Sequence, residues 1–170
     1  MATTRSVVSL EEYLSASYEP ECEYLDGELF PKAMGAKDHA RLQFQIARLL
    51  YRYEEAGLCQ IVTEQSVRVS ETAVLIPDVC LLQPDNDEHG IVRQSALLCI
   101  EILSPSDRFS YTARKCDEYL RWGVLACWIF DPIEKKAWVY DDQGLHTVTH
   151  GGVLRLGEIE LQLTELWPGS

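Results

Sequence analysis

Apolar and polar positions divide the chain into short periodic segments separated by turn residues. Ser9-Leu10-Glu11-Glu12 is a capping box and predicts a short helix to about residue 17. Segment 22–34 reads as a β-hairpin turning at Asp26-Gly27. Leu42, Ile46, Leu49, Leu50 and Tyr53 recur at helical spacing, which predicts a helix capped by Asp38 and ended by Gly57. Strands follow over 59–69, alternating around Ile61, Thr63, Val67 and Val69, and over 74–82. Residues 83–95 are polar and turn-rich and read as a surface loop. Segment 97–103 is nearly all apolar, the pattern of a central strand covered on both faces. Ser104-Pro105-Ser106-Asp107 breaks that strand and supplies caps for a helix over 108–122, which Gly123 ends. A buried strand over 125–130, a turn at Asp131-Pro132, a strand over 136–140 and a turn over 142–144 come next, with strand and loop to 163. This order predicts an α/β fold with a mixed sheet, in one domain over residues 1–170.

Two acids interrupt this apolar pattern. Asp78 follows Pro77 inside the predicted strand 74–82, and Glu101 stands within Leu97-Leu98-Cys99-Ile100-Glu101-Ile102-Leu103. A carboxylate in an apolar strand is costly to desolvate unless it is paired or holds a metal. If the two strands are neighbours, both acids can converge on one cation. Magnesium suits such a site, because it prefers oxygen ligands and keeps several waters. Lys115, on the following predicted helix, can stabilise charge on a phosphoryl transition state. The plainer alternative is turn chemistry at Pro77-Asp78 and a structural ion pair at Glu101. Three accessory candidates accompany the pair. Glu28 lies beside the hairpin turn as a third acid, His39 near a helix start can meet phosphate or act as a base, and Gln65 can point toward the site as a polar ligand. Glu28 also reads as a solvated hairpin residue, and His39 as a residue that caps or hydrogen-bonds locally. Trp128 reads as core.

Charge and cysteine content narrow the classes. The formal net charge is −12, which argues against non-specific nucleic-acid binding. Residues 31–53 nevertheless carry Lys32, Lys37, Arg41, Arg48 and Arg52 against Asp38, a local balance of +4. The six cysteines form no C-x-x-C pair, and those in strand-like runs read as free thiols, not a disulfide framework or zinc site. No apolar run reaches the roughly 18 residues needed to span a membrane. Residues 1–12 lack the apolar core of a secretory signal, so a cytoplasmic location is expected.

Asp26-Gly27-Glu28, His39, Pro77-Asp78, Glu101-Ile102-Leu103-Ser104-Pro105-Ser106, Lys115, Tyr119, Gly123-Val124, Trp128 and Asp131-Pro132 occur in one order. In this the chain resembles the bacterial Uma-type family of "putative restriction endonucleases", within the PD-(D/E)XK nuclease superfamily, over roughly residues 9–166. The resemblance implies a restriction-endonuclease-like fold, a mixed central β-sheet flanked by helices. It also implies Asp78 and Glu101 as metal-binding catalytic acids, Lys115 as the catalytic lysine, and Mg²⁺, with Mn²⁺ as substitute. The superfamily lysine two residues after the second acid is replaced by Leu103, and the chain resembles families in which that lysine has migrated to the next helix, at Lys115. Family members often carry an acid where this chain has Tyr111.

The expectation is a metal-dependent DNA endonuclease that hydrolyses phosphodiester bonds, as a homodimer when it cuts both strands. A catalytically weak or inactive nuclease-fold module for nucleic-acid or protein interaction is the competing reading, favoured by the acidic charge and by Leu103. A structural oligomerisation role is a third, which nothing in the sequence requires.

Overall fold

The structure is a computed structural model that describes residues 7–32, 36–105, 108–149 and 151–168. The capping box forms as predicted: Ser9 N–H donates to the Glu12 carboxylate at 2.8 Å and Glu12 N–H to Ser9 Oγ at 3.2 Å, opening α1 (Leu10–Ser15). Strands β1 (Cys22–Leu25) and β2 (Glu28–Pro31) make the hairpin. Its turn places Asp26 at φ 51° and Gly27 at φ 83°, the positive pair that a two-residue hairpin turn requires. The expected end of the hairpin at Met34 lies outside the described residues. Helix α2 (Lys37–Glu55) buries Leu42, Ile46 and Leu50. Its N-cap is Ala36, and Asp38, expected as the cap, sits within the first turn, where its charge still faces the positive helix end.

The predicted strands 59–69 and 74–82 prove to be four. They are β3 (Gln60–Thr63), β4 (Val67–Ser70), β5 (Ala73–Leu75) and β6 (Val79–Leu82). Together they form one long hairpin interrupted at the same level on both limbs. Thr63 pairs with Val79 on one side of the break and Val67 with Leu75 on the other, so the register carries through. Two local features stop the pairing: Glu64 adopts φ 52°, and Pro77 has no N–H to give a ladder. The hairpin therefore changes sheets halfway. Its β4–β5 half joins a four-stranded antiparallel sheet of order β2-β1-β5-β4. Its β3–β6 half joins the larger sheet, and Asp78 stands at the break.

The rest of the chain supplies β7 (Leu98–Ile102), α3 (Phe109–Trp122), β8 (Ala126–Asp131), β9 (Lys136–Asp141), β10 (Gly144–Val148), β11 (Val153–Leu156), β12 (Ile159–Gln162) and α4 (Leu163–Leu166). The larger sheet has the order β10-β9-β8-β7-β6-β3 and is mixed, with β7 and β8 parallel and its other pairs antiparallel. Parallel neighbours need a crossover, which α3 provides. Strand β8 starts one residue later than expected, because Leu125 is 72% exposed. The caps expected from Ser106 and Asp107 lie outside the described residues.

Alternation sorts the central strands between two layers. Val79, Leu81, Ile100, Ile102, Trp128 and Phe130 face α2, the β11–β12 ribbon and α4. Cys80, Leu82, Cys99, Cys127 and Ile129 face α3 and the smaller sheet. All six cysteines are free and buried. The architecture is the predicted α/β arrangement, a mixed sheet flanked by helices, and Glu101 falls on the α3 side by the same alternation.

Gly123 stops α3 at φ 115°, and a Cβ there would meet Ser95 Oγ at 3.3 Å. Gly123→Ala is expected to lower stability by about 1–2 kcal/mol, the cost of a left-handed conformation to an L side chain. Urea unfolding measures it, and an unchanged free energy would contradict this account of the helix end.

Candidate functional site

Strands β6 and β7 are antiparallel neighbours, with Val79 opposite Ile100. Continuing that register by one residue sets Asp78 opposite Glu101. Both carboxylates line one cavity of about 400 Å³, together with Glu23, Lys32, His39 and Lys115.

Asp78 is 3% exposed and held by four residues, from the chain after β2, from α2 and from β7. Its Oδ1 accepts from Lys32 Nζ at 2.9 Å, and its Oδ2 accepts from the Ile102 N–H at 2.7 Å. His39 Nε2, on the first turn of α2, lies 3.3 Å from the same Oδ2. Gln43, one turn further along α2, donates its side-chain amide to the Asp78 carbonyl at 2.8 Å. Lys32 also donates to the Ile76 carbonyl at 3.0 Å, so it bridges the two ends of the break in the long hairpin.

Glu101 is held from α3. Lys115 Nζ donates to its Oε2 at 2.7 Å and Tyr119 OH to its Oε1 at 2.8 Å. Lys115 and Tyr119 are four residues apart, on one face of the helix. Tyr111, four residues before Lys115, extends the stripe to a third acid. Its OH donates to Glu23 Oε2 at 2.9 Å. Glu23 Oε1 lies 2.6 Å from Lys115 Nζ and accepts the Ile76 N–H at 2.8 Å. Tyr111, the departure noted in the sequence, thus binds an acid supplied by β1.

Burial and neighbouring charges set these groups apart electrostatically. Burial pushes Glu101 up to about 7, with Lys115 opposing it and the charges of Asp78 and Glu23 adding to it. Burial also acts on Asp78, but the His39 hydrogen bond and the Lys32 and Lys115 ammoniums outweigh it and hold Asp78 below the usual carboxylate range. Burial would lower Lys115, yet the carboxylates of Glu101, Glu23 and Asp78 keep it well above its ordinary value. The hydrogen bond to Asp78 raises His39.

The structure thus gathers Asp78, Glu101, Lys115 and His39 and leaves two candidates elsewhere. Gln65 turns away, donating to the Ser66 and Gly90 carbonyls at 2.9 and 2.7 Å, because the loop before β7 folds against it. Glu28 pairs with Leu25 beside the hairpin turn and does not line the cavity. Sequence reasoning missed Glu23, Lys32 and Gln43. Glu23 carried a readable signal, since it lies in Cys22-Glu23-Tyr24-Leu25, another acid in an apolar segment. Lys32 had none, because its partners are 44 and 46 positions away.

The donor set can be tested against a divalent cation. Asp78 and Glu101 offer hard oxygen donors on one wall, and no cysteine lines the cavity among the described residues. Both acids are already countered by lysine ammoniums, Lys32 at Asp78 and Lys115 at Glu101, which a bound cation would have to displace or share. These residues fit magnesium or manganese in chemistry. As the side chains stand, the described residues present no ready-made group of three or more His, Cys, Asp or Glu ligands.

A family model described as "Putative restriction endonuclease" (Uma2) matches residues 10–166. The crystal structure of a putative nuclease belonging to DUF820 from Anabaena variabilis superposes with TM-score 0.84 at 21% identity, covering 94% of this chain and 97% of that one. That likeness speaks to the fold. A cryo-EM structure of a DrdV–DNA complex overlaps at TM-score 0.40 and 13% identity, over 71% of this chain and 10% of that one, too slight a likeness to carry weight. No curated protein matches. No described helix is long and apolar enough to cross a membrane. With the family model spanning both acids, Lys115 and every described helix and strand, the chain belongs to the Uma2 family, described as putative restriction endonucleases.

Proposed function

We propose that the protein is a metal-dependent DNA endonuclease that hydrolyses phosphodiester bonds, with Asp78 and Glu101 as metal ligands and Lys115 as the catalytic lysine. The observation that carries this reading is the pair of buried carboxylates set opposite each other on β6 and β7, opening on one cavity with an ammonium beside them. Mg²⁺ held by the two acids, or Mn²⁺ in its place, would withdraw charge from a phosphate oxygen and from the attacking water. The chain's own groups do the rest. Asp78 is fixed by the Ile102 N–H, so its carboxylate is preorganised by backbone. Lys115 places a positive charge where negative charge develops on the phosphoryl oxygens. His39 is anchored on Asp78 at the cavity wall, within range to hold a proton or meet a phosphate. Water attack on phosphorus breaks the bond to one ester oxygen, which leaves with a proton. One domain over 1–170, acting as a cytoplasmic homodimer, accommodates cleavage of both strands of a duplex.

A second reading has its own observation. Both acids already have lysine partners, so the cavity is neutralised without a metal, as a catalytically weak or inactive nuclease-fold module would be.

Calorimetric titration with Mn²⁺ is expected to show binding that disappears in Asp78→Asn; equal binding by the variant would remove Asp78 as a ligand. In a Mg²⁺ cleavage assay, Lys115→Met should lower the rate about a hundredfold or more without weakening Mn²⁺ binding. Adding Leu103→Lys, on the face Glu101 shares, should restore part of it, limited by the packing Leu103 contributes. A variant that cuts as fast as wild type would sink the lysine assignment, and a wild type that cuts no DNA would favour the second reading. DNA affinity should be weak and fall steeply with salt. Of the basic stretch, Lys32 and Arg52 are engaged with acids, and Lys37, Arg41 and Arg48 are exposed on α2. Arg41→Glu with Arg48→Glu should therefore weaken duplex binding, and unchanged affinity would make this face a plain solvated surface.

A further inference from the structure

The two lysines of the cavity are shared between carboxylates. Lys115 Nζ lies 2.7 Å from Glu101 Oε2 and 2.6 Å from Glu23 Oε1. Lys32 Nζ lies 2.9 Å from Asp78 Oδ1 and 2.9 Å from Glu64 Oε2. Each proposed metal ligand is therefore countered by an ammonium that already grips a second carboxylate. The arrangement occurs twice, from unrelated parts of the chain. Lys115 comes from α3 and its second acid from β1, whereas Lys32 follows β2 and its second acid stands at the break in the long hairpin.

The second acids are committed elsewhere. Glu23 uses Oε1 on the Ile76 N–H as well as on Lys115, and Oε2 on Tyr111 OH. Glu64 accepts the Gln43 side-chain amide on Oε1 at 2.7 Å. Both oxygens of each are thus already engaged, and each acid grips the lysine that also meets a proposed ligand.

We propose that Lys32 and Lys115 are resident counter-cations of the metal site, which yield Asp78 and Glu101 to a divalent cation while Glu64 and Glu23 retain them. Glu23 and Glu64 are then positioning residues that act through the lysines. The inference rests on Asp78 and Glu101 being the metal ligands. Its physical basis is the cost of an unpaired buried charge. An ammonium that left its only carboxylate would be stranded, whereas one held by two gives up a single contact and stays paired. The halves differ in degree. Lys115 and Glu23 have side chains 5% and 4% exposed, so a released Lys115 depends on Glu23 alone. Lys32 and Glu64 are 18% and 42% exposed, so water can share that task. Retention by Glu23 also keeps the Lys115 ammonium beside the reacting phosphate after Glu101 is given up.

Mn²⁺ titration calorimetry on wild type, Lys32→Gln, Glu23→Gln, Lys115→Met and the Glu23→Gln/Lys115→Met double variant tests this, with circular dichroism to confirm folding. Lys32→Gln, freed of its competing charge at Asp78, is expected to bind Mn²⁺ about tenfold more tightly. Glu23→Gln is expected to bind about tenfold more weakly, and that weakening should vanish when Lys115 is already Met. Weakening that persists in the Lys115→Met background overturns the proposal, because Glu23 would then act as a ligand or through its field alone. Binding by Lys32→Gln no tighter than wild type also overturns it, and this arm decides the matter if the Glu23 or Lys115 variants do not fold. Wild type that takes up no Mn²⁺ overturns the metal reading itself, a result read from wild type alone and distinct from either variant outcome.

Discussion

Three carboxylates at the wall of one cavity cannot stay ionised in an apolar setting unless cations and hydrogen-bond donors meet them. Glu23, Asp78 and Glu101 are each 6% exposed or less, and the surrounding fold is organised to satisfy them. Lys115, itself 4% exposed, ties α3 to both β1 and β7 through Glu23 and Glu101. Lys32 ties the chain after β2 to the break between β5 and β6. Removing one charge from this set would leave others buried and unpaired. The cluster is thus a condition of the fold as well as the feature that makes the cavity chemically distinct.

The broken hairpin gives that cluster its place. Had β5 and β6 been one straight strand, Asp78 would have spent its backbone in a ladder and its side chain on an apolar layer. The interruption at Ile76–Asp78 instead exposes main-chain groups that the cluster uses. Ile76 N–H goes to Glu23, Ile76 C=O to Lys32 and Asp78 C=O to Gln43. The parallel β7–α3–β8 unit completes the site from the other side, since its crossover helix brings Tyr111, Lys115 and Tyr119 in a row over Glu23 and Glu101.

Much of this was legible in the chain. The α/β class and the helix 108–122 with its glycine stop follow from spacing, and the cost of acids in apolar runs singles out Asp78 and Glu101, whose meeting depends on their strands being neighbours. Lys115 stands out on the following helix, the resemblance gives it the lysine role, and the structure brings it onto Glu101. What was hidden has two causes. A strand that bends between sheets keeps its apolar alternation, so 59–69 and 74–82 each read as one strand although Glu64 and Pro77 interrupt them. Partners distant in sequence leave no local mark, so Lys32 reads as one more charge in a basic stretch, and Gln65 is singled out where Gln43 is the glutamine that reaches Asp78. Glu23 is different in kind, because the argument applied to Asp78 and Glu101 holds for it too, and the hairpin pattern around it masked the signal.

Whether Asp78 and Glu101 share one divalent cation at the junction of β6 and β7 can be read from crystals soaked in Mn²⁺ and measured for anomalous scattering. The account predicts a single strong peak between the two carboxylates, with Lys115 Nζ displaced from Glu101 and still on Glu23. Well-ordered crystals with no peak there, or with manganese bound only elsewhere, would contradict it.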